Sequence, residues 1–441
     1  MIPKERVATI FKLAYPICIA LSSAVVMSLV DLAMVRPLGN QAIAAVGLSM
    51  FSNSLILSFV MGIAPAVQGM VARRRGEGST EAKCLPLNGG LLAAVVVGAP
   101  LTVICYLATP YFFSLISSDP DVTRIGVPFL RTLYLAIIAT GMNAAFRGHW
   151  AGMEKPKVYM TIVVVMNCLN FFGNYVLIYG RFGAPVMGAT GAALSTMLAV
   201  HAGALINGVI IYLHYRKDGF LKAKPARALL IRIFKIGMPA TMQEFFLSAG
   251  FIVFFWMVGQ VGTAELAAAN VLIRITMVLS LFAMALGVAS ATLVSRNVGK
   301  GDLEEAARWG WDVGKVGVLG ITALGLPLFL FPEAILSLFL SNPNTIAMAV
   351  VPLRMVAATT GAGSLIYIFA YTLFSVGDGN RVLLVSFSTQ WIVFLPAVWI
   401  VGPYLRYGLL QIWLVQMVYG ALATVLITAI WADGRWKKIR I

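Results

Sequence analysis

The residue best placed to do chemistry is a carboxylate where lipid is expected. Asp31 follows the apolar run Ala24 to Val30, broken only by Ser28, and precedes Leu32-Ala33-Met34-Val35. A charge at the centre of a bilayer costs about 2.5–3.5 kcal/mol even on the lenient insertion scale, so a carboxyl there needs a reason. A protonated Asp31 is cheap to bury, and an ionised one attracts a cation. One group can thus exchange a proton for a cationic ligand. The plainer reading is a hydrogen-bond anchor near a helix end.

A second constellation is amide-rich. Asn167-Cys168-Leu169-Asn170-Phe171-Phe172-Gly173-Asn174 places Asn170 and Asn174 four apart, on one helix face. Amides in lipid are costly unless paired, so that face should point inward. Thr190, Thr196, Tyr134, Asn143 and Met27 are candidates for the same lining. Glu244 and Gln243 lie just beyond Pro239, with Arg274 further along; Glu244 could pair with Arg274 or serve as a second cation site, and structural or gating use is the favoured reading of this secondary site. Four cysteines make no CxxC pair, and three histidines have no metal-ligand spacing, so neither a disulfide framework nor a metal site is expected. No nucleophile–base pair or phosphate loop points to an enzyme, and no cofactor is expected beyond a coupling ion.

These residues need a membrane to sit in, and composition supplies one. Of 441 residues, 60% are hydrophobic and only 11% charged; mean hydropathy is +0.89. A soluble domain is about a quarter charged. The net charge of +16 would suggest nucleic acid in a soluble protein. Here the cations lie between apolar runs, so membrane topology is the better reading and no nucleic-acid partner is expected.

A span needs about 20 mostly apolar residues. Breaks divide the chain into twelve segments near 7–36, 42–72, 84–112, 122–148, 156–180, 187–215, 229–258, 263–296, 305–331, 345–376, 381–402 and 408–433. The first is too long for a signal-peptide core and reads as a retained helix. With the N-terminus in the cytoplasm, all but seven of the 33 basic residues fall on or near the cytoplasmic side. The seven are Arg36, Arg124, Arg131, Arg181, Arg274, Arg354 and Arg406.

The twelve segments are two copies of six. At an offset of 223, Ile10-Phe11-Lys12 and Pro16 meet Ile233-Phe234-Lys235 and Pro239. Gly39, Arg73, Gly76, Gly78 and Leu130-Arg131 meet Gly262, Arg296, Gly299, Gly301 and Leu353-Arg354. Chance apolar similarity would not select glycine, proline and basic positions. An even span count makes the copies parallel, with a pseudo-twofold axis along the membrane normal and a cavity between halves. The domain reading is 1–215, a basic linker 216–228, and 229–441. Pro16 and Pro239 interrupt the first span of each half, as static kinks or moving hinges.

The chain resembles the multidrug and toxic compound extrusion (MATE) family over essentially its whole length. The resemblance rests on Lys12 to Pro16, Val30-Asp31-Leu32-Ala33-Met34-Val35 with Leu38-Gly39, Ala42 to Gly47, Asn170 to Asn174, Ile178-Tyr179-Gly180 and Gly188 to Thr196. It implies an all-α integral membrane protein of twelve transmembrane helices in a V-shaped pair of six-helix bundles. It also implies export of cationic or amphipathic organic compounds against inward H+ or Na+. The DinF-like prokaryotic branch implies an N-half pocket centred on an aspartate, matched by Asp31. Its fifth-helix asparagine is matched by Asn170, its sixth-helix threonine by Thr196 and its bend-associated proline by Pro16.

Two departures matter. A second fifth-helix carboxylate of some members is Asn174 here, and the tenth span lacks the acidic residue of a NorM-like C-half cation site. Glu244 is also three residues early for that branch's seventh-helix glutamate. The expectation is therefore an H+-coupled monomeric antiporter of a bacterial cytoplasmic membrane, both termini inside, with Asp31 as proton and cation switch. Na+ coupling is the alternative. A flippase of related fold would want a basic cavity, and a channel suits the repeated bent helices less well.

Overall fold

The computed structural model describes residues 2–78 and 84–439. Lys83 and Arg440, two of the loop cations, lie outside the described residues. The elements are helical throughout. The first half holds α1 (Lys4–Val35), α2 (Asn40–Met61), α3 (Ile63–Gly76), α4 (Leu85–Ile116), α5 (Pro120–Tyr134), α6 (Ile137–Gly152), α7 (Pro156–Tyr179) and α8 (Gly188–Tyr215). The second holds α9 (Arg227–Val261), α10 (Thr263–Gly299), α11 (Leu303–Leu330), the one-turn α12 (Pro332–Leu336), α13 (Pro343–Ser375), α14 (Gly379–Phe387), α15 (Leu395–Trp399) and α16 (Leu409–Ala432). Among the described residues eleven stretches are long and apolar enough to cross a membrane, α2 with α3 and α14 with α15 each counting as one. The pair α5 and α6, bent by 44° at Leu135-Ala136, makes the twelfth. The chain is a multi-pass membrane protein.

The fourth segment, one apolar stretch near 122–148 in the sequence, is broken in the structure. Its bend frees the Tyr134 carbonyl, and the Thr102 hydroxyl of α4 donates to it at 3.3 Å. The eleventh span also departs from a plain helix, widening to π-helical turns over Ser388–Phe394 and Ile400–Tyr404.

Helix starts repeat along with the sequence. Asp119 caps α5 by accepting from the Asp121 backbone N at 2.8 Å, ahead of Pro120. Its mate Asn342 caps α13 by accepting from the Asn344 backbone N at 2.9 Å, ahead of Pro343. A cap of this kind is worth about 1 kcal/mol, and proline at the first helical position forfeits no hydrogen bond.

Packing divides the chain into two compact units, and their limits are not those of the repeat. One is Ile19–Thr241; the other is Met1–Cys18 together with Met242–Ile441. Both divisions fall two residues beyond a repeated proline, Pro16 or Pro239. Each long first helix thus contributes its opening turns to one unit and its remainder to the other.

Within the Met1–Cys18 and Met242–Ile441 unit, α1 starts against α11. The Arg6 guanidinium donates to Glu305 and, at 2.6 Å, to Asp312, and lies 4.6 Å from the Trp309 ring centre. Within Ile19–Thr241, the opening of α9 meets the α2–α3 junction. A Cβ on Gly62 would lie 2.2 Å from both the Gly237 carbonyl oxygen and Thr241 Oγ1, so only glycine fits.

Candidate substrate and ion site

Asp31 lies one turn from the end of α1 and is 4% exposed. Helix α7 fastens this part of α1 at three levels. Asn167 Nδ2 donates to the Ser23 carbonyl at 3.0 Å, Asn174 Nδ2 to Asp31 Oδ1 at 2.5 Å, and the Tyr179 hydroxyl to the Met34 carbonyl at 2.7 Å. The i, i+4 spacing does place Asn170 and Asn174 together, both fully buried.

Helix α8 supplies the third side. Thr196 Oγ1 donates to Asp31 Oδ2 at 3.4 Å and to the Ala192 carbonyl at 3.0 Å. One hydroxyl has one proton, so these acceptors share it. Asn170 satisfies its neighbours when its amide nitrogen faces the carboxylate. It then donates to Asp31 Oδ1 at 2.9 Å while its oxygen accepts from the Thr196 backbone N at 3.3 Å. In that orientation Asn170 Oδ1 also lies 3.0 Å from Thr196 Oγ1, so the two amides hold the carboxyl and the hydroxyl reaches it only through a shared proton. Asn174 Oδ1 is buried with no hydrogen-bond partner among the described residues.

Beside the carboxyl lies a cavity of about 280 Å³, wholly within the Ile19–Thr241 unit. Met27 and Thr196 line it, with Met50, Asn53, Phe129 and Leu133 from α2 and α5. Its lining holds one acidic side chain, Asp31, and no basic one. Sulfur and aromatic surfaces adapt to varied apolar shapes, while the carboxylate supplies a single charge. The α2 residues were not singled out from sequence. The signal was present in Ser49, Ser52, Asn53 and Ser54, a polar cluster inside an apolar run.

Other candidates lie elsewhere. Tyr134 shares a buried hydrogen bond of 2.9 Å with Ser52. Asn143 donates to the Val200 carbonyl at 2.9 Å and accepts from Asn207 at 3.3 Å, inside the α6–α8 packing. Neither lines the cavity. In the other unit, Gln243 donates to Ser386 at 2.8 Å. Glu244 is half-buried on α9, and Arg274 is exposed on α10. Pro16 lies within a helix that continues through it.

Comparison with known proteins gives one family twice over. The MatE family profile matches residues 16–176 and again 239–400, blocks that begin at Pro16 and Pro239. A relative described as "Probable multidrug resistance protein NorM", from Thermotoga maritima, is 25% identical over 99% of this chain and 95% of its own length. "Multidrug resistance protein NorM" of Vibrio cholerae is 25% identical over 95% of this chain and 91% of its own. A solved MOP superfamily transporter from Pyrococcus furiosus, described with a binding pocket of reverse polarity, superposes with a TM-score of 0.86. It is 19% identical and covers 98% of this chain and 96% of its own.

Proposed function

The chain belongs to the MatE family, and from that premise we propose that it is a DinF-like, secondary active exporter of organic cations and amphipathic drugs. It exchanges them for H+ across a bacterial cytoplasmic membrane, as a monomer with both termini inside. The observation that carries this is the isolated, buried Asp31 carboxyl, held by Asn174, Asn170 and Thr196 against an apolar cavity without basic side chains. The multidrug names of the relatives point the same way.

The donors favour a proton over a metal cation as coupling ion. Two amides aim their hydrogens at the carboxylate, and a bound Na+ would need oxygens there instead. A proton needs less rearrangement. At 2.5 Å from Asp31 Oδ1, the Asn174 amide can turn its oxygen toward a protonated carboxyl and accept from it. Substrate and proton then compete for one group, so each weakens the other's binding by the same factor. One proton moving through 100 mV releases about 2.3 kcal/mol, enough for roughly a fortyfold gradient of a neutral solute. Pro16, lacking a backbone N–H, is the proposed hinge of α1.

The test is efflux from proteoliposomes with imposed H+ or Na+ gradients, comparing the wild type with Asp31→Asn and Glu244→Gln. An H+ gradient should drive uphill export, and Asp31→Asn should abolish it while the protein still inserts. Undiminished export by Asp31→Asn would sink the proposal. Drive by Na+ alone would turn it to the Na+-coupled alternative. Loss in Glu244→Gln as well would add the second unit to the coupling.

A further inference from the structure

We propose that the segment joining α8 to α9 is a docking site for anionic phospholipid, in which a cluster of cations takes the headgroup and Leu221 enters the leaflet. This segment is not a slack tether. Asn88 of α4 grips it on both sides of the tip: Nδ2 donates to the Gly219 and Ala223 carbonyls at 3.0 and 2.9 Å, and Oδ1 accepts from the Leu221 backbone N at 3.2 Å. The Cys84 backbone N donates to the Asp218 carbonyl at 3.2 Å, and Phe220 is buried as a plug.

The grip has a cost that solution folding alone does not explain. Leu221 is held at a φ of +55°, a conformation leucine rarely adopts. Its side chain gains no burial in return and stays 68% exposed. In the same segment Arg216, Lys217, Lys222, Lys224 and Arg227 are all exposed, and residues 216–227 hold one acid, Asp218. The flanking helix ends continue the apolar surface through exposed Leu213 and Ile231. An apolar tip in a cationic segment, set between the ends of two lipid-facing spans, matches a negatively charged leaflet in both charge and hydrophobicity. An acidic protein or nucleic acid would meet the cations but give Leu221 nothing. The site stands apart from Asp31 and does not depend on the efflux reading.

The test is native mass spectrometry of the full chain with equimolar dioleoyl phosphatidylglycerol and phosphatidylcholine. The wild type should retain the anionic phosphatidylglycerol preferentially. Lys217→Gln, Lys222→Gln and Lys224→Gln together change only surface groups and should lower that preference tenfold or more, since each cation near such a surface adds to the attraction. Leu221→Ser should lower retention with every cation in place. Glycerol phosphate, bearing the charge without the chains, should compete poorly. An unchanged preference in the triple variant would overturn the proposal. So would unchanged retention by Leu221→Ser, or displacement by glycerol phosphate as effective as by the lipid, which would mark a free phosphate site.

Discussion

The same place in the two halves is built in opposite ways. Asp31 faces a cavity of about 280 Å³. Its repeat mate, Phe254, is 1% exposed within an aromatic stack. Phe254 lies 5.5 Å from Phe394 and 6.2 Å from Trp413, ring centre to ring centre, and Phe394 lies 4.7 Å from Tyr419. Trp413 and Tyr419 are the repeat mates of Thr190 and Thr196. Where the first half leaves open space beside a carboxyl, the second packs rings. The backbone tells the opposite story. Gly78 and Gly301 have φ of +68° and +81°, and Glu154 and Gly377 have φ of +55° and +89°. Turns and caps are local requirements that each copy meets alone, whereas a cavity is a collective choice of side chains from several helices.

Exchanging the two residue types should break the second half first. Phe254→Asp removes a packed ring, at about 3–5 kcal/mol, and buries a carboxyl without donors, for a total above about 5 kcal/mol. Size-exclusion chromatography should show no monodisperse species. A folded variant with added proton coupling would overturn the contrast between the halves. Next in size, Asn174→Leu removes a charge-assisted donor to Asp31 and should cost about 1.5–3 kcal/mol in thermal unfolding, with a shifted pH profile of efflux. An unaltered profile would make Asn174 a bystander. Thr196→Val, which loses a longer bond of 3.4 Å, should cost no more than about 1 kcal/mol by the same measurement.

The smallest effect lies in the second half just beyond the end of α16, at Asp433. Partial burial works against ionised Asp433, yet its hydrogen bond from Arg381, with the Arg435 backbone N and both guanidiniums, holds it below its ordinary 3.8. A depressed carboxyl contributes stability above its unfolded value and loses it as pH falls through the lower folded value. Asp433→Asn should therefore be slightly less stable near neutrality and lose less on acidification. Parallel acid limbs in thermal unfolding would show the pair to be idle.

Much of the site was legible because lipid makes polar residues conspicuous. Asp31, Asn170, Asn174 and Thr196 stand out in apolar runs, and the structure gathers all four. Tyr134 and Asn143 stood out equally, but turned into helix–helix packing. Periodicity says that a side chain faces inward, not whether it meets a neighbour or a void. Met50, Phe129 and Leu133 were missed for the converse reason, since an apolar wall looks like any lipid-facing residue.

Twelve membrane crossings, the repetition of six spans and the places where the backbone turns can all be read along the chain. Those are properties of transfer free energy and of single turns, which need no distant partner. Tertiary structure decided the rest. It bent the fourth span, let Gly62 and Gly237 touch, divided the packing beyond Pro16 and Pro239, and hollowed one half while filling the other. Each depends on which side chains from distant helices compete for one volume, a contest no local pattern records.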